Sequence, residues 1–279
     1  MKYVFPAILV AVILFAHAGT CRCDSQRRGG GITCIHEFPH PRMAVHWHPT
    51  SKQFTLDDVQ YALLHGVHAV EVDIHLRPSD GRVVCNHDRP TADSPVLEQV
   101  IERVLKHKRG SRTVHNDGLQ FLLVLEPKAD SPELFDGIAS ILDRYARHFS
   151  TSAPESGGPR GITVVITGSY PREFHAHFAQ ERVNRLCVAE THDYTGEITN
   201  LAADGTGFQW ASLRYADGIR ARVAALHNGT DPSIPGRFNV RIWDGHKNMD
   251  KALASGADAV NADKDEIGAL EVLIAARRD

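Results

Sequence analysis

The chain lacks the marks of several large functional classes. No long basic stripe runs through its 279 residues, and 31 basic against 34 acidic side chains leave a formal charge of only −3. A nucleic-acid partner would demand a positive footprint that this composition does not supply. Beyond the first twenty residues no apolar run is long enough for a bilayer span. No glycine-rich turn follows the first expected strand, which argues against an open dinucleotide-binding sheet. Cysteine is scarce, with five in all, and Cys21-x-Cys23 has no second pair to complete a zinc site. An odd number leaves at least one thiol unpaired or bonded to another chain.

What is present begins with a targeting pattern. Lys2 precedes a nearly continuous apolar run from Val4 to Phe15, and Ala16-His17-Ala18 offers a small-x-small cleavage site. Residues 1–18 therefore read as a signal peptide, which places the mature chain outside the cell, where disulfides are permitted. Residues 19–40, with Arg27-Arg28 and Gly29-Gly30-Gly31, read as a flexible lead-in. Residues 41–279 have apolar content enough for a single α/β domain, given 42% hydrophobic residues overall.

Within that domain strand-like and helix-like segments alternate. Strands are expected at 43–48, 67–74, 119–125, 162–167, 185–189, 207–211, 238–243 and 257–261. Helices are expected at 55–65 with Thr55 as cap, 95–106 with Ser94 as cap, 132–149, 171–179, 217–228, 248–255 and 265–277. Ser79-Asp80-Gly81 makes a turn after the second strand, and Val83-Val84 opens a returning arm. Eight βα units in this length match a (β/α)8 barrel, whose reactive groups gather at the C-terminal ends of the strands.

The polar residues follow that rule. Glu71 and Asp73 lie two apart in Ala69-Val-Glu-Val-Asp-Ile-His75, so a strand turns both to one face. Two carboxylates roughly 7 Å apart repel by about 2 kcal/mol at an effective dielectric of 20. A buried strand keeps such a pair when a cation answers it. Glu126, closing the apolar run Leu122–Leu125, would complete an oxygen-only set with Glu71 and Asp73, which favours Mg²⁺ or Ca²⁺ over Zn²⁺. Lys128 stands ready for a phosphate or a developing negative charge. His46 and His48 share a face of the first strand, and His87-Asp88 follows the returning arm. A base and an acid of this kind, either side of a metal-held phosphate, suit phosphodiester cleavage. Trp243 and Trp210 lie near strand ends, where a ring packs in the core or flanks a substrate. Asp263 follows the last strand, and Asn228-Gly-Thr230 is a glycosylation sequon.

His46-x-His48, Gly66 before Val70-Glu-Val-Asp73, Asp80-Gly81, His87-Asp88, Glu126-x-Lys128 and Gly256-Ala-Asp-Ala-Val-Asn-Ala-Asp263 together resemble the PLC-like phosphodiesterase barrel superfamily. That superfamily contains glycerophosphodiester phosphodiesterases, phosphatidylinositol-specific phospholipases C and sphingomyelinases D. Arg241-Ile-Trp243 with Asn261-Ala-Asp263 looks most like the branch of the Altered Inheritance of Mitochondria protein 6 group. The resemblance implies metal ligands Glu71, Asp73 and Glu126, acid–base catalysis by His87 with His46 or His48, and phosphate contact by Lys128. Trp243 and Asp263 would line the substrate pocket. Trp47 stands where the glycerophosphodiesterases carry an arginine, so the head group stays open. The implied partner is a small or lipid phosphodiester, reached through transient contact with a membrane surface and without an obligate protein partner. Two other readings use the same residues. A zinc amidohydrolase would use His46-x-His48, His192 and Asp263, but leaves Glu71 and Asp73 without a role. A non-catalytic binder of lipids or phosphate esters would need no acid and base together.

Overall fold

The computed structural model describes residues 44–48, 53–129, 131–149, 161–168, 185–191, 198–199, 208–232, 238–244 and 248–263. Its strands are β1 (Ala44–His48), β2 (Ala69–Leu76), β3 (Val83–Cys85), β4 (Phe121–Pro127), β5 (Ile162–Ile166), β6 (Arg185–Thr191), β7 (Ile198–Thr199), β8 (Phe208–Arg214), β9 (Asn239–Trp243) and β10 (Ala259–Asp263). Eight run parallel in the order β1-β2-β4-β5-β6-β8-β9-β10, and β10 pairs back onto β1. The ring is closed, as the alternation of elements implied. β3 and β7 are antiparallel additions to β2 and β6. Helices α1 (Leu56–Leu64), α2 (Leu97–Lys108), α3 (Pro132–Arg144), α4 (Ile219–Asn228) and α5 (Met249–Leu253) lie among the described residues. The helices expected at 171–179 and 265–277, like the signal and lead-in segments, fall outside them. No helix among the described residues is long and apolar enough to cross a membrane.

Strand periodicity sorts the side chains into two layers. Val70, Val72 and Ile74 of β2 join Val59, Leu63, Leu97, Ile101, Leu134 and Ile138 in one large cluster between sheet and helices. Their alternates turn into the barrel. There Ala69, Leu122, Val124, Val165 and Ala259 form a separate apolar plug. Above that plug, toward the C-terminal ends of the strands, the lumen is lined by Glu71, Asp73, Thr167, Ser212, Arg241 and Asn261, all buried. On α3, Leu134, Phe135, Ile138, Ile141 and Leu142 repeat at helical spacing and bury one face.

Several boundaries differ from expectation for one reason. β2, β4, β6, β8 and β10 each run two or three residues past the expected C-terminal end. The extra residues include His75 and Glu126, whose polarity broke the apolar pattern because they sit on the lumen face, and Asp263 at the end of β10. α1 is capped as expected: Thr55 N donates to Asp58 Oδ2 at 2.8 Å, and Gly66, at φ 71°, ends the turn. α2 begins at Leu97 rather than Pro95. The Pro95 carbonyl accepts from Cys85 N at 2.8 Å and Val96 bridges Val84, so this segment is held extended against β3. The Ser94 hydroxyl accepts from Thr91 N instead of capping. The helix expected to reach Phe149 ends at Arg144 and is followed by a 3-10 turn at Ala146–His148.

Candidate functional site

β1 delivers His48 at its last position, with Trp47 turned outward into the helix-facing core. β2 delivers Glu71 and Asp73 from its lumen face, buried to 1% and 3% exposure. β4 delivers Glu126, directly in register with Asp73, and Lys128 follows the strand. These residues meet. His48 Nε2 lies 3.1 Å from Asp73 Oδ2, and its Nδ1 lies 4.0 Å from Glu71 Oε2. Lys128 Nζ bridges Asp73 Oδ1 at 2.9 Å and Glu126 Oε1 at 2.8 Å. Burial pushes the Asp73 carboxyl up, but His48 and Lys128 outweigh it and hold it below the usual carboxylate range. Burial likewise works against the Lys128 ammonium, and Glu126 and Asp73 more than reverse it, so its pKa is raised.

The β2–β3 hairpin brings His87 to the same place. Asn86, buried, organises the turn: its Oδ1 accepts from Phe54 N at 2.8 Å, its N donates to the Asp73 carbonyl at 3.0 Å, and its Nδ2 reaches the carbonyls of Asp88 and Arg89. His87 then stands with its ring centroid 5.9 Å from that of His48. Its Nδ1 lies 3.0 Å from Asp88 Oδ1, which sets the proton on Nδ1 and the lone pair on Nε2. His75 sits one alternation above Asp73; burial dominates its environment and lowers its pKa.

Of the expected site residues, the structure brings together His48, His87, Glu71, Asp73, Glu126 and Lys128. His46 lies in β1 two residues deeper, opposite Ala69, and its side chain is outside the described set, as is that of Asp263, which pairs with His48 in register. Trp243 ends β9 on the lumen face. His192 and Cys21, Cys23 and Cys34 lie outside the described residues; Cys85 is a buried free thiol in the outer core.

One residue was missed. Arg241, buried on β9, crosses the lumen to Glu71 at 3.3 Å and to Thr167 Oγ1 at 3.4 Å. The signal was present in Asn239-Val-Arg-Ile-Trp243: an arginine between two apolar residues on a barrel strand faces inward with its i±2 neighbours. Arg241 and Lys128 thus answer part of the charge that Glu71, Asp73 and Glu126 create. Among the described residues, three carboxylates and two cations thus meet at the mouth. Among the described residues two groups converge with one ligand atom each within 4.8 Å: His48 with Glu71 and Glu126, and His48 with Asp73 and His87. Both contain His48, so its imidazole stands within reach of all three carboxylates. This donor set and charge fit a divalent ion.

No family model matches the sequence. The tryptophan synthase alpha chain of Paraburkholderia phytofirmans is 25% identical over 182 residues, which is 61% of this chain and 64% of that protein's length. Among solved structures, a glycerophosphodiester phosphodiesterase from Parabacteroides distasonis superposes with a TM-score of 0.53 at 15% identity, over 85% of this chain and 99% of that one. The S. officinalis PLC21 superposes with a TM-score of 0.50 at 10% identity, over 88% of this chain but only 37% of that one. At such identities the likeness carries the fold alone: this chain is a (β/α)8 barrel, like the barrels of those two solved structures.

Proposed function

We propose that the chain is a divalent-metal-dependent phosphoric diester hydrolase that works by histidine acid–base catalysis. One observation supports this above the others: two histidines, three carboxylates and a lysine from β1, β2, the β3 turn and β4 converge at the C-terminal mouth of a closed barrel. A binder needs no such acid–base pair, and Zn²⁺ amidohydrolase chemistry would leave the three carboxylates unexplained.

The roles follow from the hydrogen bonds. His87, with Nδ1 donated to Asp88, offers Nε2 as the base for the attacking hydroxyl. His48, its two ring nitrogens facing Asp73 and Glu71, gives a proton to the leaving alkoxide. Lys128, a quarter exposed at the mouth, reaches a phosphate oxygen while retaining a carboxylate partner. Glu71, Asp73 and Glu126 would hold Mg²⁺ or Ca²⁺, which would supply charge neutralisation for the phosphate oxygens. Arg241 holds Glu71 in place across the lumen. The apolar run Val4–Phe15 supports export of the chain, and a phospholipid or glycerophosphodiester-like substrate follows from the motifs shared with the superfamily.

Incubation with a panel of phosphodiesters and magnesium or calcium, followed by phosphorus NMR, tests the proposal. Metal-dependent conversion to a monoester or a cyclic phosphate is the expected result. A folded protein that turns over none of the panel, or that does so equally in chelator, contradicts it.

A further inference from the structure

His75 has no part in the chemistry above, yet it stands inside the site. Ala69 belongs to the lumen plug and Val70, Val72 and Ile74 to the outer core, so the two-residue period carries the inner face of β2 from Glu71 through Asp73 to His75. Asp73 is level with Glu126, and Lys128 N donates to the Ile74 carbonyl at 2.9 Å, so His75 sits at the rim beside the segment that leaves β4. Its ring is half-buried and hydrogen-bonds the backbone of His87 and of Asn86 in the hairpin. Both bonds favour the protonated ring, so the backbone partners are carbonyl oxygens. Nε2 is buried and has no hydrogen-bond partner, so Nδ1 is the donor.

His87 is a third exposed, and its ring is bonded to Asp88, its neighbour in the same loop. That bond sets the tautomer but does not set where the loop stands. Backbone anchors do: Asn86 N donates to the Asp73 carbonyl at 3.0 Å, and the His75 ring takes the carbonyls that follow. Both anchors belong to β2, the strand that carries Glu71 and Asp73. A general base must lie within hydrogen-bond reach of the proton it removes, and a displacement of about 1 Å is enough to cost roughly a hundredfold in rate. The remaining nitrogen of His75 is enclosed, so the ring does not itself meet a substrate. We infer that His75 is a positioning residue: its Nδ1–H clamps the His87 carbonyl to β2 and so fixes the base relative to the carboxylates of the same strand. The inference rests on the role given to His87.

A double-mutant cycle tests it. His75→Phe keeps a ring and removes the donor; it should lower kcat on a converted diester at least about tenfold, with KM, magnesium affinity and thermal midpoint nearly unchanged. His75→Asn, whose amide offers an N–H at the place of Nδ1, should recover most of that loss. In a His87→Ala background His75→Phe should cost nothing further, because the group it positions is gone. Losses that multiply in the double variant, an unchanged kcat in folded His75→Phe, or a fall confined to KM or to magnesium affinity would each overturn the inference. His75→Leu serves if the phenylalanine variant does not fold. Amide hydrogen exchange read by NMR separates this inference from the catalytic proposal. His75→Phe should speed exchange at Asn86 and His87 at least about tenfold while β4 stays protected. Faster exchange in a protein that turns over no diester would overturn the catalytic proposal and leave the clamp standing. Unchanged exchange would overturn the clamp whatever the turnover.

Discussion

At the scale of single residues, the assignment of His87 as base makes a sharp demand. Its side chain is a third exposed and contributes no core packing, so His87→Ala should leave the thermal midpoint nearly unchanged while turnover falls at least about a hundredfold. Normal rates in that variant would remove His87 from the mechanism. Arg241 makes the opposite demand. It lies beside a carboxylate that is 1% exposed, so Arg241→Met leaves a buried charge without its guanidinium. Breaking a buried pair from one side costs about 3–5 kcal/mol, to be read from urea unfolding. Glu71→Gln removes the charge itself and should weaken magnesium affinity in a calorimetric titration. Unchanged affinity would take Glu71 out of the ligand set.

Elements set the spacing between those residues. Gly168, just past β5, has φ 93°, and a Cβ built there would lie 2.7 Å from Glu126 Cγ. The close approach of this turn to β4 therefore helps fix where the Glu126 carboxylate stands. Gly168→Ala should displace that side chain and destabilise the fold by roughly 1–3 kcal/mol, since crowding and an unfavourable backbone conformation act together. Weakened metal binding should accompany the loss, and a variant with wild-type metal affinity would show that Glu126 does not depend on this contact. The β2–β3 hairpin does the same for His87 through Asn86, whose side chain ties the turn to Phe54 N and to two carbonyls. Neither device stood out in the sequence. Gly168 is one glycine among 22, and Asn86 precedes the conspicuous His-Asp pair that it supports.

For the whole molecule, pH stability follows from where the paired acids lie. Away from the mouth, Asp117 accepts from buried His68 at 2.7 Å and from Leu119 N at 3.0 Å. Burial pushes its carboxyl up, but these hydrogen bonds and the nearby histidines prevail, and its pKa is lowered. A lowered folded pKa adds stability that is present above the unfolded value, near about 4, and lost as pH falls through the folded one. Asp73 acts in the same direction. Unfolding free energy should therefore drop below about pH 4, and Asp117→Asn should make that drop shallower by up to about one proton. An unaltered acid limb in the variant would show that Asp117 is not among the groups responsible. The raised Lys128 acts at the other extreme: its contribution holds below its ordinary value and is lost only as pH rises through the folded one.

The sequence by itself determined the barrel, because eight alternating units leave few parallel topologies. It also determined the carboxylate pair, because a two-residue period puts Glu71 and Asp73 on one face whatever surrounds them. The outward packing of Val70, Val72 and Ile74 follows from the same period. Only the tertiary structure decided what answers those charges. Arg241 is 170 residues from Glu71 in the chain and meets it because the ring closes. Pairing of β1 with β2 set His48 against Asp73, and closure put Arg214 and Trp243 across the mouth from the acids. Local pattern encodes which face a side chain takes; the partner across the lumen depends on strand order and shear, which no short stretch of sequence carries.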